Sequence, residues 1–177
     1  MQSLRRQLET LCREWIDQGL PSREQIVRCA QTLIRWKEQH SGLGLWPEAP
    51  LLMTATLDDG IGQGIEIIHL FAEALGMRVM PLGLLQPADA IVAACRQHCP
   101  AFLGLTVLQL DSEEELASVG QRLPPGTCLI AGGPAFRYDP EMATRCGVHH
   151  VAANVAYFID FLLQRAAKCG DGEIIPE

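Results

Sequence analysis

The chain has 177 residues, of which 48% are apolar and 20% charged, with a formal net charge of −7. That length and apolar content suit one core of ordinary size with a short appendage. The acidic balance argues against a phosphate-backbone footprint, which needs Lys and Arg concentrated on one face, so nucleic acid is not an expected partner. No apolar run reaches membrane-spanning length, and Met1 to Arg6 leads into an amphipathic pattern rather than a signal-peptide core. A cytoplasmic protein with no membrane partner is expected. The seven cysteines are odd in number and scattered, which favours reduced thiols over a disulfide framework.

Leu4, Leu8, Leu11, Trp15 and Ile16 recur at helical spacing and stop at Gly19. The pattern restarts after Pro21-Ser22 with Ile26, Val27, Ala30, Leu33, Ile34 and Trp36, and Ser22 with Gln25 forms a capping-box signature. Residues 1–40 therefore read as a helical hairpin. Its helices are marginal alone, so the apolar stripes must pack on the following domain or on another chain. Residues 41–50, rich in Gly and Pro, read as a linker in which Trp46 plugs the edge of the core. His40 ends the second helix, where a cation suits the dipole.

From Leu51 the chain alternates apolar strands (51–57, 77–82, 101–107, 127–131, 148–151) with amphipathic helices (62–75, 88–98, 112–123, 139–146, 154–168). This predicts an α/β fold, a doubly wound five-stranded parallel sheet of the flavodoxin type over residues 51–168, preceded by the helical hairpin and followed by a tail, 169–177.

Ligands in such sheets bind outside the carboxyl ends of the strands. The first strand ends in Asp58-Asp59-Gly60-Ile61-Gly62, where glycines and a helix start gather free backbone N–H groups. The third ends in Thr106-Val107-Leu108, the fourth in Gly132-Gly133, and the fifth in His149-His150 and Val151. Thr106 offers a hydroxyl at the crevice floor. Glycines at two of these turns let something bulky approach the backbone. The His149-His150 pair is expected to border that crevice, whereas His69 is expected to be a packed or surface helix residue.

Other chemistries fit poorly. Cys95, His98 and Cys99 share a helix, but a structural zinc needs about four ligands and no second pair lies nearby. Asp58-Asp59 resembles a receiver-type acidic site, yet Thr106 or Gln109 stands where the phosphoacceptor should be, and Val151 or Ala152 where a Lys is needed. Gly60, Gly62 and Gly64 lack the spacing of a dinucleotide fingerprint. No Ser-His-Asp pattern is present, so no catalytic residue and no metal ligand is assigned.

The strand-end residues over 51–168 resemble the cobalamin-binding domains of methionine synthase, the mutases and the corrinoid methyltransferase proteins. That family carries Asp-x-His-x-x-Gly after the first strand, Ser-x-Leu after the third and Gly-Gly after the fourth. Gly62 matches the first glycine, Thr106 and Leu108 stand for Ser-x-Leu, and Gly132-Gly133 match the last pair. The intervals are similar, the second slightly short, and Met77 to Gly83 with Pro87 resembles the family's second strand. Asp59, however, occupies the place of the histidine that binds cobalt from below, and Leu57 that of the aspartate orienting it.

The resemblance implies a cobalamin cofactor held without a histidine ligand, touching Asp59, Gly60, Ile61, Gly62, Thr106, Leu108, Gly132, Gly133 and His150. The chain would then be a carrier or sensor rather than a stand-alone enzyme, or the corrinoid subunit of a methyltransferase system. The hairpin would be a shortened form of the family's four-helix cap, shielding the cofactor by pairing with a protein partner or a second copy. The alternative is a degenerate regulatory or interaction module that holds another tetrapyrrole, such as haem, or no cofactor.

Overall fold

The computed structural model describes residues 3–40 and 44–170; Met1-Gln2, the first three linker residues and the predicted tail from residue 171 lie outside the described residues. The elements run α1 (Leu4–Gln18), α2 (Arg23–Gln39), β1 (Leu51–Thr56), α3 (Gln63–Leu75), β2 (Arg78–Gly83), α4 (Ala88–His98), β3 (Phe102–Thr106), α5 (Glu113–Arg122), β4 (Cys128–Gly132), α6 (Ala135–Tyr138), α7 (Met142–Arg145), β5 (His150–Val151) and α8 (Val155–Gly170). The five strands lie in the order β2-β1-β3-β4-β5, the doubly wound flavodoxin-like order, with parallel pairing along β1, β3, β4 and β5. β2 is an edge strand, which is why Pro81, lacking an N–H, can sit within it.

The chain divides into two compact units. The first holds α1, α2, α3 from Glu66 onward, and α8. Ser3 caps α1 by accepting from Arg6 N–H at 3.3 Å, and Ser22 and Gln25 form the expected capping box on α2. The buried stripe of α1 is Leu4, Leu8, Cys12 and Trp15, so Cys12 takes the inward position expected of Leu11, and Ile16 is exposed. Trp15 meets Phe71 of α3 edge to face, with ring centroids 5.6 Å apart, and Arg5 Nη1 donates to the Leu163 carbonyl of α8 at 3.2 Å. Trp46 is buried, as its place in the linker suggested. His40 stacks on Trp36 at 4.2 Å between centroids.

The second unit, residues 51–65 and 79–153, carries the sheet with α4 to α7. Met53, Ala55, Leu103, Leu105, Leu129 and Ala131 alternate onto one sheet face and pack with Ile91, Val92, Leu116 and Val119 of α4 and α5. Each fully buried aliphatic side chain contributes about 1.5–3 kcal/mol, so this cluster is the main source of cohesion in the unit. Pro87 supplies no cap to α4; Glu115 of α5 does so instead, its Oε2 accepting from Ala88 N–H at 2.9 Å.

The predicted helix over 139–146 is only the four-residue α7, with a separate short helix, α6, before it. Asp139 is extended (φ −136°, ψ 89°) because the next residue is Pro140, and its carboxylate accepts from Glu141 and Met142 N–H to start α7 afresh. α6, built on Pro134, had no periodic apolar pattern to announce it.

Candidate functional site

The carboxyl end of the sheet is organised around the last residues of β1. Thr56, Thr106 and Gly132 occupy one rung across β1, β3 and β4. Thr56 is fully buried, and its hydroxyl donates to the Asp59 carbonyl at 2.5 Å while accepting from Leu85 N–H at 2.9 Å. Its own carbonyl accepts from Gln86 N–H at 2.8 Å. One buried threonine thus joins the loop after β1 to the loop after β2.

Asp58 does the same for the loop after β3. Its Oδ1 accepts from Leu108 N–H, and its Oδ2 from Gln109 N–H and the Ser112 hydroxyl, each at 2.8 Å. A carboxylate accepting three hydrogen bonds is already committed, and charge-assisted bonds of this kind are roughly twice as strong as neutral ones.

Asp59 is also turned inward. Its Oδ1 accepts from Ile61 N–H at 2.8 Å and Gly62 N–H at 3.0 Å, an Asx turn leading into α3, and the residue is 8% exposed. Gly62 has φ 72°, and a Cβ built there would lie 2.7 Å from Leu84 Cδ2. The glycine is favoured by its left-handed backbone, and the Leu84 side chain is seated in the space a Cβ would take.

The two glycines at the end of β4 make close approaches to backbone. A Cβ on Gly133 (φ 121°) would fall 2.1 Å from the Val107 carbonyl oxygen, and one on Gly132 3.0 Å from that of Ala152. Val107 N–H donates to the Gly132 carbonyl at 2.9 Å, which draws these loops together. The bulky neighbour expected at these turns is therefore, first, the adjoining chain.

β5 is two residues long, and His150 pairs with Ile130, two rungs below Gly132, so it is set back from the rung that joins Thr106 and Gly132. His149 precedes the strand, and its Nδ1 accepts from Leu129 N–H at 2.9 Å, a structural role at the opposite end of β4 from the glycines.

Around this rim stand apolar side chains that the strand-end motifs did not flag. Ile61 after β1, Leu84 and Leu85 after β2, Leu110 after β3 and Tyr138 after β4 are all exposed, up to 77% for Tyr138. Five of eight exposed large apolar residues among the described residues thus lie in the segments that follow the first four strands. The signal was available for Leu84-Leu85, an apolar pair between Gly83 and Pro87 where no element could bury it. Thr56 and Asp58 gave less warning, because their roles depend on loops 29 and about 50 residues away.

Two buried cysteines are held as thiols. Burial, reinforced by Asp160 and Glu9, pushes the Cys12 thiol up to about 12, and burial pushes Cys95 to about 11. Cys99 caps α4 with its sulfur near the Arg96 carbonyl, 3.6 Å away. Among the described residues no three His, Cys, Asp or Glu side chains converge to hold a metal ion. The first unit has its own open groove of about 770 Å³ between α1 and α2, lined by residues including Gln7, Glu14, Trp15 and Arg28; none of the strand-end residues lines it.

The fold and rim define a flavodoxin-like α/β domain whose strand-end loops are locked by β1 and surfaced with apolar side chains. Among solved structures, the fold is similar to a cobalamin-binding protein from Desulfitobacterium hafniense DCB-2, with a TM-score of 0.76, 18% identity, and coverage of 92% of this chain and 80% of that one. It is also similar to the monomethylamine corrinoid protein of Methanosarcina barkeri (TM-score 0.59, 16% identity, 92% and 80% covered). A third is the methanol:cobalamin methyltransferase complex of the same organism (TM-score 0.58, 18% identity, 97% and 70% covered). At these identities the likeness is one of fold. No protein-family model matches the chain, and no curated protein sequence matches it.

Proposed function

We propose that this chain binds a corrinoid, cobalamin, on the rim at the carboxyl end of its sheet, without a lower cobalt ligand from the protein, and acts as a carrier or sensor rather than a stand-alone enzyme. The observation that carries the reading is the set of exposed apolar residues Ile61, Leu84, Leu85, Leu110 and Tyr138 in the segments that follow the first four strands. Exposed apolar side chains after four strands suit a broad, largely apolar ligand better than a phosphorylated or ionic one. The donor set agrees: Asp59, at the position where the resembled family has its histidine, spends its carboxylate on Ile61 and Gly62 N–H, and Asp58 spends its own on the loop after β3. The similar structures named for cobalamin and corrinoid binding support the same reading.

On this reading Gly60, Ile61, Gly62 and Leu108 with the leucines of the second loop would hold the macrocycle, and Thr106, Gly132, Gly133 and His150 would hold its nucleotide tail. The bound corrinoid supplies cobalt-centred group transfer or light and redox sensitivity; the chain supplies the platform and leaves cobalt with the cofactor's own base or no lower base. Residues 51–168 would be the binding domain, preceded by the hairpin of residues 1–40, which a protein partner or a second copy would complete. The test is to add hydroxocobalamin to purified protein, remove the excess by gel filtration and record the visible spectrum. Retained, near-stoichiometric colour is expected, with cobinamide, which lacks the tail, retained less well. A colourless protein would defeat the reading.

A further inference from the structure

Leu85 and Cys99 are the described non-glycine residues with positive φ, at 52° and 45°. Cys99 terminates α4, a place where a left-handed residue satisfies helix carbonyls. Leu85 terminates nothing: it lies between β2 and α4, 58% exposed, in a conformation where its Cβ crowds its own carbonyl.

Three features hold it there. Leu85 N–H donates to the buried Thr56 hydroxyl at 2.9 Å, the next amide, Gln86 N–H, donates to the Thr56 carbonyl at 2.8 Å, and Thr56 donates onward to the Asp59 carbonyl. Leu85 Cδ1 lies 3.6 Å from where a Cβ on Gly60 would be, and Leu84 Cδ2 lies against Gly62, so both leucines reach toward the glycines of the first loop. The backbone of the loop after β2 is therefore held, and with it the direction in which the Leu85 side chain leaves the chain.

Neither the exposure nor the backbone conformation of Leu85 favours folding. Glycine would relax the backbone, and asparagine tolerates the left-handed region better than leucine while being at home in water. A strained residue held by a buried hydrogen-bond hub at a candidate site points from structure to a role in binding.

We propose that Leu85 is a specificity-determining contact for the ligand of the rim, presenting its side chain to the face of a flat macrocycle, and that Thr56 is the residue that positions it. The assignment rests on the corrinoid reading above and adds a residue outside the strand-end motifs.

The experiment compares Leu85→Gly, Leu85→Asn, Thr56→Ser and Thr56→Val with the unaltered chain, measuring hydroxocobalamin affinity by absorbance titration and melting temperature by calorimetry. Both Leu85 variants are expected to melt at or above the wild-type temperature yet bind about tenfold more weakly, the size of one lost large apolar contact. Thr56→Ser, which keeps the hydroxyl, should bind as the wild type does, and Thr56→Val should bind more weakly. Leu85 variants that bind within twofold of wild type would overturn the assignment while leaving the corrinoid reading standing. Leu85 variants that lose melting temperature along with affinity would also overturn it, by showing a folding residue. A wild-type chain that takes up no corrinoid would defeat the corrinoid reading itself.

Discussion

Asp58 Oδ1 accepts a hydrogen bond from the Leu108 amide at 2.8 Å, fastening the end of the first strand to the loop that leaves the third. Because Oδ2 takes Gln109 N–H and the Ser112 hydroxyl as well, the carboxylate is a clasp between loops rather than an open acidic site. Asp58→Ala should remove all three bonds and leave two amides seeking water. The expected loss is about 2 kcal/mol, read as a melting temperature lower by roughly 5 °C. Titration calorimetry of the wild type with Mg²⁺ and Ca²⁺ should show nothing tighter than millimolar; a micromolar site would show that the clasp opens to take a cation.

Asp59 caps its own turn, so Asp59→Ala should lower stability by about 1 kcal/mol, and Asp59→Asn, which retains the acceptor, by less. Neither should change the visible bands of bound cobalamin, since on the proposed reading no bond from this carboxylate reaches cobalt. A shifted spectrum in Asp59→Ala would mean that the turn unfolds and the carboxylate swings out on binding.

The glycines at the end of β4 separate two effects. Gly133→Ala would drive a Cβ into the Val107 carbonyl in a left-handed backbone, and a loss of about 3 kcal/mol or more is expected from urea unfolding. Gly132 meets only the Ala152 carbonyl within 4 Å, at 3.0 Å. Gly132→Ala should fold with a modest loss, while Gly132→Val should weaken retention of cobalamin by filling the crevice. Equal retention by Gly132→Val and wild type would move the nucleotide tail elsewhere.

His69, half-buried in α3, has its pKa lowered below the ordinary 6.5, chiefly by burial, with Glu66 pulling the other way. The unfolded chain then binds a proton that the folded chain resists. Stability should be full above about pH 6.5 and fall as the pH drops from there toward the lowered folded value. Urea midpoints measured from pH 7.5 to 5 should show this decline, and His69→Gln should flatten it; an unchanged slope in the variant would assign the decline to other groups.

The hairpin is tied to α3 and α8 by Trp15 on Phe71, Arg5 on the Leu163 carbonyl and the buried Cys12 thiol near the Ala156 carbonyl. Removing residues 1–48 should therefore uncover apolar surface, lowering solubility or changing the oligomeric state in light scattering. A truncated chain with the same oligomeric state and melting curve would show the hairpin to be an appendage.

The amino-acid sequence by itself determined the element order, the parallel sheet and the hairpin, because the 2.0- and 3.6-residue periodicities and the Ser22-Gln25 box are local quantities that no distant contact has to complete. It also marked the first, third and fourth strand ends as the place to look, since glycines and a threonine stood there in one order. What it left open was what those residues touch. Gly62 and Gly133 looked like room for a ligand, and the structure fills that room first with Leu84 and the Val107 carbonyl. Asp58 looked like half of an acidic pair, and it is a clasp whose partners lie about 50 residues on. Leu85 was marked only as half of an apolar pair that no element could bury; its left-handed backbone was not, because it depends on hydrogen bonds to Thr56 of another strand. Those facts depend on the packing of loops that meet only after the sheet has formed, and tertiary structure alone decided them.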